Sequence, residues 1–121
     1  MDVNVKVALR CRPMSSKEIA KQCKSIISIS GNTVHVSGLT DDAGGKGQRD
    51  FTFDYCYSSE STQDMPFLDI GRPLIVSALD GFNGTIFAYG QTGSGKSHTM
   101  MGGKDDLRGI IPRLNDELWA R

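Results

Sequence analysis

The segment Gly84–Ser97 reads GTIFAYGQTGSGKS, and its reading governs the rest of the chain. Gly84–Tyr89 is a continuous apolar run of strand length, which predicts a central strand buried on both faces. The next eight residues, Gly90–Ser97, satisfy the phosphate-loop pattern G-x-x-x-x-G-K-[ST], and a helix is predicted to begin at Lys96. An apolar strand, a glycine-rich turn and a helix in that order converge backbone N–H groups on an anion.

Each residue type in the loop has a chemical reason. Gly90, Gly93 and Gly95 permit backbone angles that other residues resist and keep side chains away from the anion. The loop amides, with Gln91, Thr92 and Ser94 between the glycines, can then surround a β-phosphate, aided by the positive end of the following helix. Lys96 is the predicted catalytic residue, its ammonium set against the β- and γ-phosphates. Ser97 is the predicted metal ligand, supplying a hydroxyl to Mg²⁺. A match of this kind arises by chance in on the order of one in two hundred chains this long, and the flanking strand and helix make coincidence rarer still.

Other glycine clusters fail the same test. Gly45-Lys46 is followed by Gly47 and Gly103-Lys104 by Asp105, so neither offers a hydroxyl to Mg²⁺. The dinucleotide pattern G-x-G-x-x-G fails because His98 stands where its third glycine belongs. Hydrolysis needs a second acidic Mg²⁺ partner and a group that orients water. Asp54 follows Phe51-Thr52-Phe53 and is the candidate acid, but its strand alternates, which favours a structural turn. Asp105 and Asp106 fall in a loop. The sequence predicts binding and shows no equipment for turnover.

The chain has 121 residues, 38% hydrophobic and 23% charged, enough for one domain. Its 14 basic and 14 acidic side chains balance, which argues against a dedicated nucleic-acid or membrane-surface binder. Cys11, Cys23 and Cys56 form an odd set without a C-x-x-C pair, and His35 and His98 are far apart, so neither a disulfide framework nor a zinc site is indicated. The start MDVNVKVALRCRP is too polar for a signal peptide, and no stretch is long and apolar enough to insert in a membrane. The expectation is a cytosolic protein with reduced thiols.

Elsewhere, Val3–Arg12 alternates and predicts a half-buried strand with Val3, Val5, Val7 and Leu9 inward. Ser15 with Glu18 forms a capping box for a short helix, Ser15–Lys21. Ile26–Ser30 and Thr33–Val36 predict a hairpin across Gly31-Asn32. Thr40–Asp50 predicts an exposed, flexible loop, and Phe51–Tyr55 a second strand. After a polar turn, Ser58–Asp64, a helix is predicted from Pro73, with Leu74, Ile75, Ala78 and Leu79 inward and Gly81 ending it. Pro66 and Gly71 predict a short or kinked extension upstream. Gly102-Gly103 interrupts the helix after the loop. A last helix restarts at Pro112, with Ile111, Leu114 and Leu118 on one face and Glu117 paired with Arg121. The chain stops within that helix, which reads as a cut.

The stretch GFNGTIFAYGQTGSGKSHTM, Gly81–Met100, is richer than a bare phosphate loop and closely resembles the nucleotide-binding segment of kinesin motor domains. VALRCRP (Val7–Pro13), FTFDYCY (Phe51–Tyr57) and GIIPR (Gly109–Arg113) resemble three further family segments in order and spacing. Ser97, Asp69-Ile70-Gly71, Met100-Met101-Gly102 and Cys23–Gly31 look most like the third kinesin subfamily. The resemblance implies an α/β fold of phosphate-loop NTPase type, a central mixed sheet with helices on both faces, with residues 1–121 as its N-terminal, nucleotide-binding portion. It implies Mg·ATP as ligand, with Arg10, Arg12 and Pro13 beside the adenine and His98 flanking the base on the other side. Read without the family, Arg10 and Arg12 are solvated strand-end charges and His98 is a first-turn helix residue.

The resemblance further implies an ATPase that moves along microtubules in the cytoplasm, contacting tubulin through regions outside this chain. It also implies a coiled coil in the full-length protein. Two switch segments of the family, Asn-x-x-Ser-Ser-Arg-Ser-His and Asp-x-x-Gly-x-Glu, do not occur here, so these residues alone are not expected to turn over ATP. In the family's sheet the phosphate-loop strand lies between strands from the later half of the motor. GTIFAY on its own is therefore expected to expose two unpaired edges. A different reading takes the 121 residues as a complete nucleotide-binding or interaction fragment without motor activity. A small phosphate-loop kinase would need an arginine-rich lid, which is not visible.

Overall fold

A computed structural model describes residues 5–40 and 46–120. The chain divides into two compact units, Met1–Glu60 and Ser61–Arg121.

The first unit holds two small sheets. β1 (Ala8–Arg10) pairs in parallel with β5 (Tyr55–Tyr57), in the register Ala8 to Tyr55 and Arg10 to Tyr57. β2 (Ile27–Ser30), β3 (Thr33–Thr40) and β4 (Lys46–Thr52) form an antiparallel meander. Its centre is an apolar row, Ile29 opposite Val34 opposite Phe51, in which Val34 is buried. Thr33 and Thr52, also opposite one another, join hydroxyls at 3.0 Å. The hairpin across Gly31-Asn32 forms as predicted. So does α1 (Ser16–Ala20), whose cap Ser15 accepts from the Glu18 amide while the Glu18 side chain accepts from the Ser15 amide.

Two strand expectations need correction. Lys46–Asp50 is not loop but the first part of β4, because β3 pairs with it on both sides of an irregularity between Val36 and Leu39, which outweighs its glycine content. Residues 41–45 of that predicted loop lie outside the described residues. Phe51–Tyr55 is not one strand. Phe51 and Thr52 end β4, Phe53 and Asp54 turn, and Tyr55 opens β5 in the other sheet. Asp54 makes that switch. Its carboxylate accepts from the Val7 amide at 2.7 Å, and its own amide donates to the Val7 carbonyl at 2.9 Å. The structural-turn reading of Asp54 therefore stands over the Mg²⁺ reading. Val5 and Val7, predicted inward, are exposed, and β1 is shorter than Val3–Arg12, whose first two residues are not described.

The second unit is helical. α2 (Asp64–Pro66), a π-helical turn (Phe67–Gly71) and α3 (Arg72–Leu79) run on as one rod. Pro73 contributes no N–H, and Gly71 lets the Phe67 ring lie where a Cβ would stand, so the widened turn sits where the sequence predicts a kink. Phe67, Ile75 and Ile110 form the core, with Pro66 wholly buried. Ala78 and Leu79, predicted inward, are exposed. α3 ends in a paired closing motif: the Phe82 amide returns to the Ser77 carbonyl and the Gly81 amide to Ala78, with Gly81 at φ 95°.

α5 (Ile110–Ala120) begins two residues before Pro112, which its first turn tolerates because those amides have no helical acceptor. Ile110 is the residue it buries, while Ile111 and Leu118 are exposed, so the inward face is turned from the predicted one. Glu117 accepts from Arg72 of α3 at 2.8 and 3.1 Å, and Arg121 is outside the described residues.

Gly84–Tyr89 is not the central buried strand that its apolar run predicts, and it stands unpaired as the family resemblance implies for these residues on their own. It has no ladder partner among the described residues, and the face carrying Phe87 and Tyr89 is open, at 88% and 101% exposed, while Ile86 on the other is half-buried. A strand is a relation between neighbours, and among the described residues none pairs with either edge.

Candidate functional site

The phosphate-loop residues lie in the second unit, between the apolar run and α4 (Lys96–Met100). The loop is wrapped, not extended. The Ser94 amide donates to the Gln91 carbonyl at 3.1 Å, and Gly93 and Gly95 take φ of 82° and 107°. Those angles are closed to most side chains. Lys96 Nζ reaches back to the Gly90 carbonyl at 2.6 Å and so joins the two ends of the loop.

Among the described residues, the backbone N–H groups of Gly93, Gly95, Lys96 and Ser97 have no acceptor. Consecutive amides left open in a left-handed turn form a concavity suited to an anion. α4 has five residues, so the amides and the ammonium carry this field and the short helix adds little. Ser97 and His98 are exposed on its first turn. The donor set fits Mg·ATP: open amides and an ammonium for phosphate oxygens, and a hydroxyl for the cation.

Arg10, Arg12 and Pro13 lie in the first unit, at the end of β1 and just beyond it. Arg10 is half-buried, and burial lowers its pKa against a raising effect of Tyr57. Arg12 is held by Glu18 through two bonds, Nη1 to Oε2 at 3.2 Å and Nη2 to Oε1 at 2.5 Å, and also donates to the Pro13 carbonyl at 2.9 Å. The Glu18 hydrogen bond raises the Arg12 pKa, and the same bond with the Ser15 amide lowers that of Glu18. Arg12 is thus a fixed guanidinium and not a freely solvated charge. A cavity of about 190 Å³ beside it is lined by Cys11, Met14, Ile27, Ile29 and Ser58, among others.

Two residues secure the region downstream of the loop, and neither is assigned this part from the sequence. Gln63, in the polar turn before α2, is buried and donates from Nε2 to the His98 carbonyl at 2.7 Å and to the Leu107 carbonyl at 2.9 Å. Arg113, in the GIIPR segment, donates to the Arg108 and Asp106 carbonyls at 2.7 and 3.0 Å. A glutamine in a polar turn carries no periodicity or motif, and its burial appears only in three dimensions.

The wrapped loop between an apolar segment and a helix, in a chain that also forms parallel and antiparallel strands, defines an α/β phosphate-loop protein. The family profile described as kinesin motor domain matches residues 10–121. Similar proteins include the kinesin-like protein Klp68D of Drosophila melanogaster, 43% identical over 95% of this chain and 15% of that one. Human kinesin-like protein KIF1C is 40% identical over 98% of this chain and 11% of its own. The kinesin-like protein unc-104 of Caenorhabditis elegans is 41% identical over 98% and 8%. Among solved structures, that of a fast kinesin, described with its ATPase mechanism and interactions with microtubules, matches with a TM-score of 0.86 at 37% identity. It covers 97% of this chain and 32% of that one.

This chain belongs to the kinesin motor domain family. It spans about a third of the solved motor's length and less than a fifth of those curated relatives.

Proposed function

We propose that this chain binds Mg·ATP through Gly90–Ser97, as the N-terminal nucleotide-binding portion, residues 1–121, of a motor that couples ATP hydrolysis to movement along microtubules. The wrapped loop with its open amides, closed by Lys96 on Gly90, carries the reading. On arrival of a triphosphate, the Lys96 ammonium exchanges a neutral carbonyl for anionic oxygens, a stronger partner. Ser97 would supply a hydroxyl ligand to Mg²⁺. Arg12, Pro13 and His98 are the residues proposed to contact the base, and Glu18 keeps the Arg12 guanidinium oriented. Arg10, half-buried beside Tyr57, supplies positive charge near that end of the strand.

Hydrolysis and motion belong to the longer protein, in which switch segments sense the γ-phosphate and other surfaces meet tubulin in the cytoplasm. Ser97, Asp69-Ile70-Gly71 and Met100-Met101-Gly102 favour the third subfamily within the family. Equilibrium binding of a fluorescent ATP with Mg²⁺ to this chain and to Lys96→Ala tests the loop. Saturable binding that Lys96→Ala abolishes supports the proposal, and equal binding by both overturns it. In the intact motor, full microtubule-stimulated ATPase activity with Lys96→Ala would refute the role of that lysine.

A further inference from the structure

α4 ends in an unusual way. The amides of Met101 and Gly102 both return to the Ser97 carbonyl, at 2.8 and 2.9 Å, so the donor that would continue the helix onto His98 is spent one residue earlier. The His98 carbonyl is left to a side chain, and that side chain is Gln63, 4% exposed. Both contacts of its Nε2 are to carbonyl oxygens, which fixes the orientation of the amide group, because only the NH₂ end can donate to them.

The second contact reaches the segment beyond the loop. Leu107 O accepts from Gln63 and also from the Gly103 amide at 2.8 Å, while the Gly109 amide donates to Met101 O at 3.0 Å. One buried carboxamide thereby ties the carboxyl end of α4 to the turn 105–107. α4 is one and a half turns long, about 1.5 Å per residue. His98 is adjacent to Ser97 and two residues from Lys96, so holding its carbonyl leaves those two side chains little freedom to shift along the helix.

We infer that Gln63 is a positioning residue for the phosphate loop: it fixes the helix on which the ammonium of Lys96 and the hydroxyl of Ser97 are carried. This rests on the nucleotide-binding reading above. Gln63 touches neither phosphate nor metal. Its effect passes through the His98 carbonyl and falls on Mg²⁺-dependent affinity, since the cation ligand Ser97 directly precedes the residue it holds.

The test uses Gln63→Met, of similar volume without a donor, and Gln63→Glu, of the same shape with an acceptor turned on two carbonyls. Affinity for ATP is measured with Mg²⁺ and with a chelator, at a low temperature where circular dichroism shows each variant folded. Ile75→Ala, which empties part of the same unit's core away from α4, is the control for stability alone. The expected result is a loss of about tenfold in Mg·ATP affinity for both Gln63 variants and a smaller loss for ATP without metal. Ile75→Ala keeps the wild-type ratio.

Wild-type affinity in Gln63→Met, or a fall in Ile75→Ala of the same size and metal dependence, overturns the inference and leaves the loop reading intact. Failure of the wild type to bind Mg·ATP overturns both. Should neither Gln63 variant fold, the side-chain NH₂ resonances of Gln63 in the wild type decide the matter. They shift on adding Mg·ATP if the inference holds, and their indifference sinks it.

Discussion

Lys96 donates its ammonium to the Gly90 carbonyl at 2.6 Å, from the first residue of α4 to the first residue of the loop. The loop is thus closed on itself with its cation already at the concavity. A charge-assisted hydrogen bond is worth about 1.5–3 kcal/mol, and more partners are available on a phosphate than on one carbonyl.

Lys96→Ala is therefore expected to weaken Mg·ATP binding at least about tenfold, and Lys96→Arg to weaken it less. Titration of a fluorescent nucleotide, with the far-ultraviolet spectrum as a check on folding, reads both.

Gly102→Ala should destabilise the second unit by at least about 2 kcal/mol. Gly102 sits at φ 69°, and a Cβ there would collide with the Leu107 carbonyl and the Gly109 amide, both backbone. Backbone on two sides cannot give way as a flexible side chain would. A urea midpoint unchanged from wild type would contradict the packing described for this turn.

Arg72 and Glu117 link α3 to α5, and the Arg72 guanidinium also lies 5.6 Å from the Phe67 ring centroid. The arginine side chain is 46% exposed, so solvent screening holds the pair to about 0.5–1 kcal/mol. Arg72→Lys should lose most of it, because an ammonium does not reproduce the planar contact with both oxygens and the ring. Thermal melts of the wild type and Arg72→Lys at low and high salt measure the pair and its screening.

The contribution of Glu18 depends on pH in a defined direction. Hydrogen bonding to Arg12, and then to the Ser15 amide, holds its carboxyl below the ordinary value of about 4.3. A depressed carboxylate stabilises the fold above that ordinary value and ceases to do so as pH falls through the lower folded value. The Ser15 amide resonance should therefore move below the usual glutamate range and stay still in Glu18→Gln. A wild-type transition at the unperturbed value would refute the coupling of Arg12 to the cap.

The open run Gly84–Tyr89 should govern the behaviour of this chain in isolation. Phe87, Tyr89 and Trp119 are almost wholly exposed, and an unpaired apolar segment recruits other chains. The chain is expected to bind ATP weakly and to associate with rising concentration. Phe87→Ser with Tyr89→Ser should shift sedimentation toward the monomer. A sharp cooperative melt of a wild-type monomer with tight ATP binding would contradict this.

Much of the fold was legible because it is local. Ser15 and Glu18 are three residues apart, and the capping box follows from that spacing alone. Gly31-Asn32 between two β-rich runs gives the hairpin, and Gly81 gives the end of α3. The irregular turn Phe67–Gly71 was foreshadowed by Pro66, Gly71 and Pro73. The loop Gly90–Ser97 was legible for the same reason, since glycine, lysine and hydroxyl at fixed offsets are a local chemical pattern.

The sequence by itself determined the wrapped glycine-rich loop, the caps and the turns, where each residue answers to neighbours a few positions away. Only the tertiary structure decided that Asp54 would spend its carboxylate on Val7 and that Lys46–Asp50 would join a sheet. It alone decided that Gln63 would be buried against His98 and that Ala78, Leu79, Ile111 and Leu118 would face solvent. Each of these depends on a partner distant in the chain, or on its absence, and a side chain's solvation and hydrogen bonding are settled by what packs beside it in space.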